Sequence, residues 1–487
     1  MKEVVIVGGG ISGLTAGVYL QKYGYSSTIV EKNARVGGEC TGWDRGGFHL
    51  DNCLHWMTGT SPQKPMHDIW CETGALDKDE SKVPMLRREI FHVHNYQGNE
   101  ILLYNDHERL RAHLKGLFPE DAEEIDTFVD IVRDYAKGES MPMKPLEMMN
   151  LKDLLGLLKL MFPVFKHHFK YSAMSLIDYA SRFKSPALRH LLTSYLPEEH
   201  FAESMLYMYG IVSAGDGDIP LGGSVAMAQR MRARYESLGG RVITGKKAER
   251  FRMDGKKIEA VELSDGTLLK ADAFVAACDP SVTFGRLLPA ALHDKFFDTR
   301  YSSPDKYPVH SNFIVFLDIP ASCARPDTDI VTMDGTVATS YIVKHFAYEK
   351  DFAPEGRTVL QIIMDQKATD YDRWEQLYLT DRAGYEASKR DLSARVTQDV
   401  CSRLGISDYN VLDIVTPHSM HRWCGAYKGS YMAFVPTADV PLKYHNGRVK
   451  GVGNLILAGE WLQSPGGTPC AAVTGKYAAD RLRTLRK

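Results

Sequence analysis

The chain opens on Val4-Val5-Ile6-Val7, an apolar run with no polar position to alternate against. Such a run suits a strand buried on both faces of a parallel sheet. A glycine-rich turn at 8–13 leads into residues 14–20, whose pattern predicts a helix, and Ser27-Thr28-Ile29-Val30 predicts a second buried strand ending at Glu31. Residues 47–56 alternate apolar and polar side chains, as a half-buried strand does. Residues 89–94 and 100–104 flank Asn95-Tyr96-Gln97-Gly98-Asn99 as the arms of a hairpin. Asn105-Asp106 supply a cap for a helix starting near Glu108, and Pro119 suits the first turn of the next. From 141 to about 208 the period is helical and unusually apolar, above all at Leu151, Leu154, Leu155, Leu157, Leu158, Leu160, Met161 and Phe162. Pro163 is expected to end or kink that helix.

Past Gly215 the composition changes. Residues 224–238 predict a helix stopped by Gly239-Gly240, then strands at 241–244 and 248–253, a hairpin turn at Asp254-Gly255, a return at 258–263 and a buried strand at 271–278. Strand-like runs at 311–317, 340–343 and 358–364 predict a mixed sheet, and 381–404 a long helix. Residues 416–429, rich in His, Arg, aromatic and Gly, read as a loop that either closes a cofactor site or is merely structural. A last strand, within 454–461, stops at Gly459 and Glu460, and 464–469 opens a helix over 470–485. Gly451-Val452-Gly453 leads into a strand, where a second dinucleotide motif would need a helix.

Composition narrows the function classes. At 487 residues the chain exceeds one ordinary core, so two domains are expected. A hydrophobic fraction of 44% with 25% charged residues is globular, and a net charge of −2 gives no reason to expect nucleic acid. The eight cysteines are scattered without a C-x-x-C, which suits a reducing, cytoplasmic setting and argues against zinc. The first buried strand begins at once, leaving no room for a signal peptide, and no uncharged stretch of 18 residues predicts a spanning helix. Residues 151–170, apolar with a basic collar at Lys166, His167, His168 and Lys170, read either as an element lying on a membrane surface or as a buried helix beside an apolar cavity.

Candidate chemistry concentrates at the two ends. Gly8, Gly10 and Gly13 fill G-x-G-x-x-G: a tight turn, close approach to a pyrophosphate, and helix–strand packing. Ser12 lies in the same turn, where a helix N-terminus offers free N–H groups and about half a positive charge to phosphate. Glu31 follows Gly13 by 18 residues, near the spacing for a carboxylate on a ribose hydroxyl. Lys32, Arg35, Gly37 and Gly38 then bring cations and bare backbone over the pyrophosphate. His92 and His94 share one face of a strand, but with no Cys, Asp or Glu cluster they read as surface residues and no metal site is expected.

The stretch 31–38, with the cradle before it, resembles the FAD signature of the amine oxidase and phytoene desaturase group of flavoproteins, within it the phytoene desaturase, carotenoid isomerase and retinol saturase branch. NAD is the alternative cofactor. The resemblance implies an α/β fold in which a discontinuous Rossmann-like FAD domain (1–75, 215–286 and 446–487) carries an inserted α+β substrate domain (76–214 and 287–445). It further implies that a backbone group near Ala248 grips the adenine, that Glu460 after Gly459 bonds the ribityl chain, and that the helix opening at Gly467 and Thr468 points at the flavin ring. A strand placed like 47–56 would run back along the flavin, making His55 a candidate for the substrate side; a structural, hydrogen-bonded histidine is the equal alternative. The chain departs from the carotenoid enzymes at Asn52-Cys53-Leu54-His55-Trp56.

The function so implied is an FAD-dependent oxidoreductase that desaturates, saturates or isomerises carbon–carbon bonds of an apolar, polyene or lipid-like molecule. The electron acceptor would be oxygen, a quinone, or none in an isomerase, because only one dinucleotide motif is present. The alternatives are a flavin amine oxidase acting on a small amine and a non-enzymatic lipid-binding escort on the same fold.

Overall fold

Five parallel strands from three separated stretches of chain build the sheet that carries the cradle, in the order Leu455–Leu457, Ala273–Ala276, Glu3–Val7, Ser26–Val30, Arg241–Ile243. The computed structural model describes residues 2–139 and 141–484, so Met1 and Leu485, the expected outer ends of the cradle and of the last helix, lie outside the described residues. The alternation along Glu3–Val7 shows why the opening run is wholly apolar. Val4 and Ile6 pack with the helices Ile11–Lys22 and Gly467–Thr484, while Val5 and Val7 pack with Phe251, Val261 and Leu263 of a three-stranded meander. Both faces of the sheet are therefore covered, as a parallel sheet requires.

The expected mixed sheet has seven strands, ordered Asn410–Val415, His310–Pro320, Arg357–Lys367, Ser340–His345, Ile330–Asp334, Ile90–Tyr96, Asn99–Tyr104. Every pairing is antiparallel except Ile330–Asp334 with Ile90–Tyr96. A layer of helices including Ala122–Lys137, Leu151–Tyr171 and Ala202–Ser213 closes a separate core around Ile125, Phe128, Leu191 and Leu206.

Four expectations change. The strand at 47–56 is the second arm of a hairpin, Gly42–Arg45 with Phe48–Asp51, and ends at Asp51. Gly46 and Gly47 both take positive φ, +56° and +90°, as a two-residue hairpin turn demands. His92 and His94 are fully buried (0% exposed) instead of on the surface, because their strand is sandwiched by pairing with Ile330–Asp334 and by the helical layer. Residues 416–429 are not a loop: Thr416 caps the helix Pro417–Cys424 by accepting from Ser419 N, and Gly425 ends it at φ +83°. Pro163 neither ends the helix Leu151–Tyr171 nor divides it.

Candidate functional site

The carboxyl ends of the parallel strands open into a continuous cavity of about 1680 Å³ that reaches from the glycine turn to the helix Leu151–Tyr171. Gly8 makes the turn at φ +109°, with room for no Cβ: one built there would stand 2.4 Å from Ala277 O. A Cβ on Gly13 would stand 2.0 Å from Gly8 O, so Gly13 is what lets helix meet strand. Gly10 differs. Its nearest neighbour for an added Cβ is Gly38 Cα at 3.7 Å, and its backbone lines the cavity.

Around this turn the structure gathers Gly8, Gly10, Ser12, Glu31, Lys32, Gly37, Gly38, Ala248, Gly459, Glu460, Gly467 and Thr468 on the cavity wall. Gly13 is just behind it, and Arg35 is exposed and outside the lining. Glu31 is buried; it accepts from Gly9 N (2.8 Å) and Asn33 N (2.9 Å), and burial raises its carboxyl above the usual range. Lys32 Nζ donates to Arg422 O (3.1 Å), Asn33 Nδ2 to Trp423 O (3.0 Å), and Trp423 Nε1 to Gly38 O (3.2 Å). The helix Pro417–Cys424 is thereby latched across the loop at 32–38.

At the far end, Gly467 N donates to Glu460 Oε2 (2.7 Å), which fixes the carboxylate at the start of the last helix. Burial pushes the Glu460 carboxyl up to about 7. Two more carboxyls line the cavity, half-buried Glu39 and buried Asp279, and desolvation raises both. Neither carries a sequence signal for this role: Glu39 simply follows the glycine pair, and Asp279 follows the strand Ala273–Ala276 by three residues. Lys247 and Arg286 line the cavity as well and add cations near Ala248.

His55 faces the cavity; its Nε2 pairs with Gln361 Oε1 at 3.2 Å. Burial, with Lys344 nearby, lowers its pKa to about 4, so the ring is neutral at neutral pH. Its backbone carbonyl accepts from Arg88 Nη2 (3.0 Å) and Lys344 Nζ (3.3 Å), and both cations pair with Asp329 beneath it. Across the cavity, buried His310 donates through Nδ1 to Asp365 Oδ2 (2.7 Å) and through Nε2 to Glu199 Oε1 (3.3 Å). Burial alone would lower this imidazole, but the two carboxylates outweigh it and hold it at about 9. No sequence spacing joins 199, 310 and 365; only the pairing of His310–Pro320 with Arg357–Lys367 brings two of them together.

The sequence matches the flavin containing amine oxidoreductase family over residues 11–483. The chain belongs to this family. Among curated relatives, a lycopene-forming phytoene desaturase of Pantoea ananas is 25% identical over 299 residues, 60% of this chain and 59% of the relative. A 4,4'-diapophytoene desaturase of Methylomonas sp is 22% identical over 98% of this chain and 94% of its own, and the chloroplastic prolycopene isomerase of Arabidopsis thaliana 21% identical over 88% and 74%. Among solved structures, an oxidoreductase from Methanosarcina mazei superposes with a TM-score of 0.61 at 14% identity over the whole of both chains. Wild-type putrescine oxidase bound to putrescine gives 0.61 at 15% identity over 99% of each. At such identities the superpositions speak for the fold alone.

The flavoenzyme's cradle fits the dinucleotide form of its cofactor, FAD. Ser12 Oγ is buried at the helix N-terminus, on the cavity wall, and has no hydrogen-bond partner among the described residues, the state expected of a hydroxyl that would meet a phosphate oxygen. The chain is thus an FAD-dependent oxidoreductase. Among the described residues no group of three or more His, Cys, Asp or Glu could hold a metal ion, and no helix is long and apolar enough to cross a membrane.

Proposed function

We propose that this flavoenzyme desaturates, saturates or isomerises carbon–carbon bonds of an apolar, polyene or lipid-like molecule. The observation that carries the reading is the continuity of the cavity with the helix Leu151–Tyr171. The helix turns Leu157, Met161, Val164 and Phe165 to the cavity and leaves Leu151, Leu155, Phe162 and Phe169 in solvent. An apolar chain entering along it would pass from the exposed apolar face to the cavity-lining one. The relatives named for phytoene, diapophytoene and prolycopene support the same substrate class.

In this reading Gly10, Ser12, Gly37 and Gly38 hold the pyrophosphate, Glu31 the ribose, a backbone group at Ala248 the adenine, and Glu460 the ribityl chain. Lys32 supplies the cation over the loop. Gly467 and Thr468 present the N-terminus of the last helix to the ring, which favours added negative charge there by about 0.3–1 kcal/mol. The flavin supplies two-electron hydride chemistry when bound. The protein orients the apolar chain, excludes water and keeps neutral His55 at the wall. The domain division at 75, 214, 286 and 445 belongs to the proposal, as do a cytosolic location and contact of the helix Leu151–Tyr171 with a membrane surface. Its Lys152, Lys159, Lys166 and Lys170 favour an anionic one.

Anaerobic mixing of the oxidised holoenzyme with polyenes, fatty acids and small amines tests the substrate class, reading flavin bleaching and products together. A polyene altered in its double bonds is the expected result. Bleaching by an amine alone, with every polyene unchanged, would overturn it.

A further inference from the structure

Cys40 and Cys53 stand with Sγ atoms 3.3 Å apart, and both line the cofactor cavity. They do not meet by accident of side-chain rotation. The hairpin Gly42–Arg45/Phe48–Asp51 pairs Gly42 with Asp51, and Asn52 N donates to Thr41 O at 3.0 Å, so the same register carries on to set 40 opposite 53. Cys40 is fixed from the other side: its N–H donates to Gly37 O (3.1 Å), which ties it to the glycine pair of the phosphate loop. Cys53 N donates to Asp51 Oδ1 (3.1 Å). Glu39 and Glu460 are within electrostatic reach of each other and of Cys53 on the cavity wall, which places the sulfurs beside the stretch argued above to hold the ribityl chain and ring. Cys40 is buried and Cys53 half-buried, with its open side on the cavity.

We propose that Cys40 and Cys53 are a redox-active dithiol that exchanges an electron pair with the bound flavin. In the forward direction the two S–H bonds break and one S–S bond forms. The electron pair passes to oxidised FAD, and the two protons go to the reduced flavin or to solvent. The sulfurs have only to close from 3.3 Å to about 2.05 Å. No outside oxidant is needed, because the family's cofactor is itself the electron acceptor. The hydrogen bond with Cys40, together with burial, pushes the Cys53 thiol well above its ordinary value, so this residue keeps its proton at neutral pH. One exchange hands the enzyme one reduced flavin without a nicotinamide domain, which is enough for redox-neutral isomerisation of a double bond; repeated saturation would need an external dithiol to re-reduce the Cys40–Cys53 disulfide in every turnover. The inference rests on the FAD site and is independent of the substrate reading.

Two measurements test it. In the apoprotein, mild oxidation with diamide followed by alkylation and peptide mapping should yield a Cys40–Cys53 peptide, with six of the eight cysteines still alkylated. In the holoenzyme so oxidised and desalted, anaerobic dithionite titration should take up four electrons per flavin, against two in Cys53→Ser or, if that variant folds poorly, in Cys40→Ala. Absence of the linked peptide would overturn the pair itself. A linked peptide with uptake of only two electrons would overturn its coupling to the flavin, whereas a protein that bound no flavin would contradict the cofactor site and leave the peptide map to judge the pair.

Discussion

At the cradle end of the cavity the wall is backbone. Gly8 and Gly13 bring main-chain atoms so close that an added Cβ would fall 2.4 Å and 2.0 Å from carbonyl oxygens, and the anchoring acid, Glu31, grips the N–H groups of Gly9 and Asn33. At the proposed substrate end the wall is side chain: Leu157, Met161, Val164 and Phe165 of one helix, a neutral histidine at 55, and an ion cluster around His310. The difference is one of tolerance. Backbone contacts cannot give way, so the first region has one admissible sequence pattern; side chains repack, and many patterns fill the second.

The largest effect should come from Gly13→Ala. Its methyl would overlap Gly8 O, and neither backbone can retreat, so the cost should reach or exceed the upper end of the ~1–3 kcal/mol usual for overpacking. Denaturant unfolding of the apoprotein measures it, and unchanged stability would show that the turn is looser than the contacts imply. Next is Gly10→Val, whose Cβ would come no closer to a neighbour than 3.7 Å, at Gly38 Cα. This variant should fold with an apoprotein Tm within a few degrees of the parent yet lose the visible flavin absorption band. Equal destabilisation by the two substitutions would abolish the distinction between packing glycine and cofactor glycine.

The same distinction explains what the sequence made legible. Gly8, Gly10, Gly13 and Glu31 are close in the chain, and each has a local physical reason to be what it is, so the cradle could be read directly. Arg35 satisfied the same local logic but ended in solvent, because nothing within eight residues says which of two cations will face the cavity. Glu199, His310 and Asp365 come together only through strand pairing and helix packing across 166 positions, and no spacing encodes that. His92 and His94 read as surface residues for a related reason: the parallel strand that buries them, Ile330–Asp334, is far along the chain, with Thr332 lying 238 positions beyond His94. Residues 416–429 are a different case, since Thr416-Pro417 is itself a helix-start signal and was open to reading.

On the substrate side, Phe162→Ser combined with Phe169→Ser probes the exposed face, where the two rings are 74% and 79% exposed. Stability should stay within about 0.5 kcal/mol, as for surface substitutions generally. Flotation with anionic liposomes should fall at least tenfold, since even half of the ~1.5–3 kcal/mol for burying each ring exceeds that factor. Retained flotation, or collapse of the fold, would return this helix to the ordinary core.

The smallest and sharpest contrast is in pH. At the cradle end burial raises Glu460 from 4.5 to about 7, so the native state holds its proton more tightly than the unfolded chain does. Its contribution is present below pH 4.5 and is lost as pH rises to about 7. At the substrate end His310 is raised from 6.5 to about 9 by Asp365 and Glu199, with Lys367 and Tyr431 also near these carboxylates. Its contribution is intact below pH 6.5 and is lost as pH climbs through 9. His200, lowered to about 3, is silent across that window. Apoprotein melting curves should therefore change shape in two separable places: Glu460→Gln should flatten the acid-to-neutral decline, and His310→Asn the neutral-to-alkaline one. If both variants altered the same limb, the two ends would be one electrostatic unit, and the division between a backbone-built cradle and a side-chain-built wall would not extend to their charges.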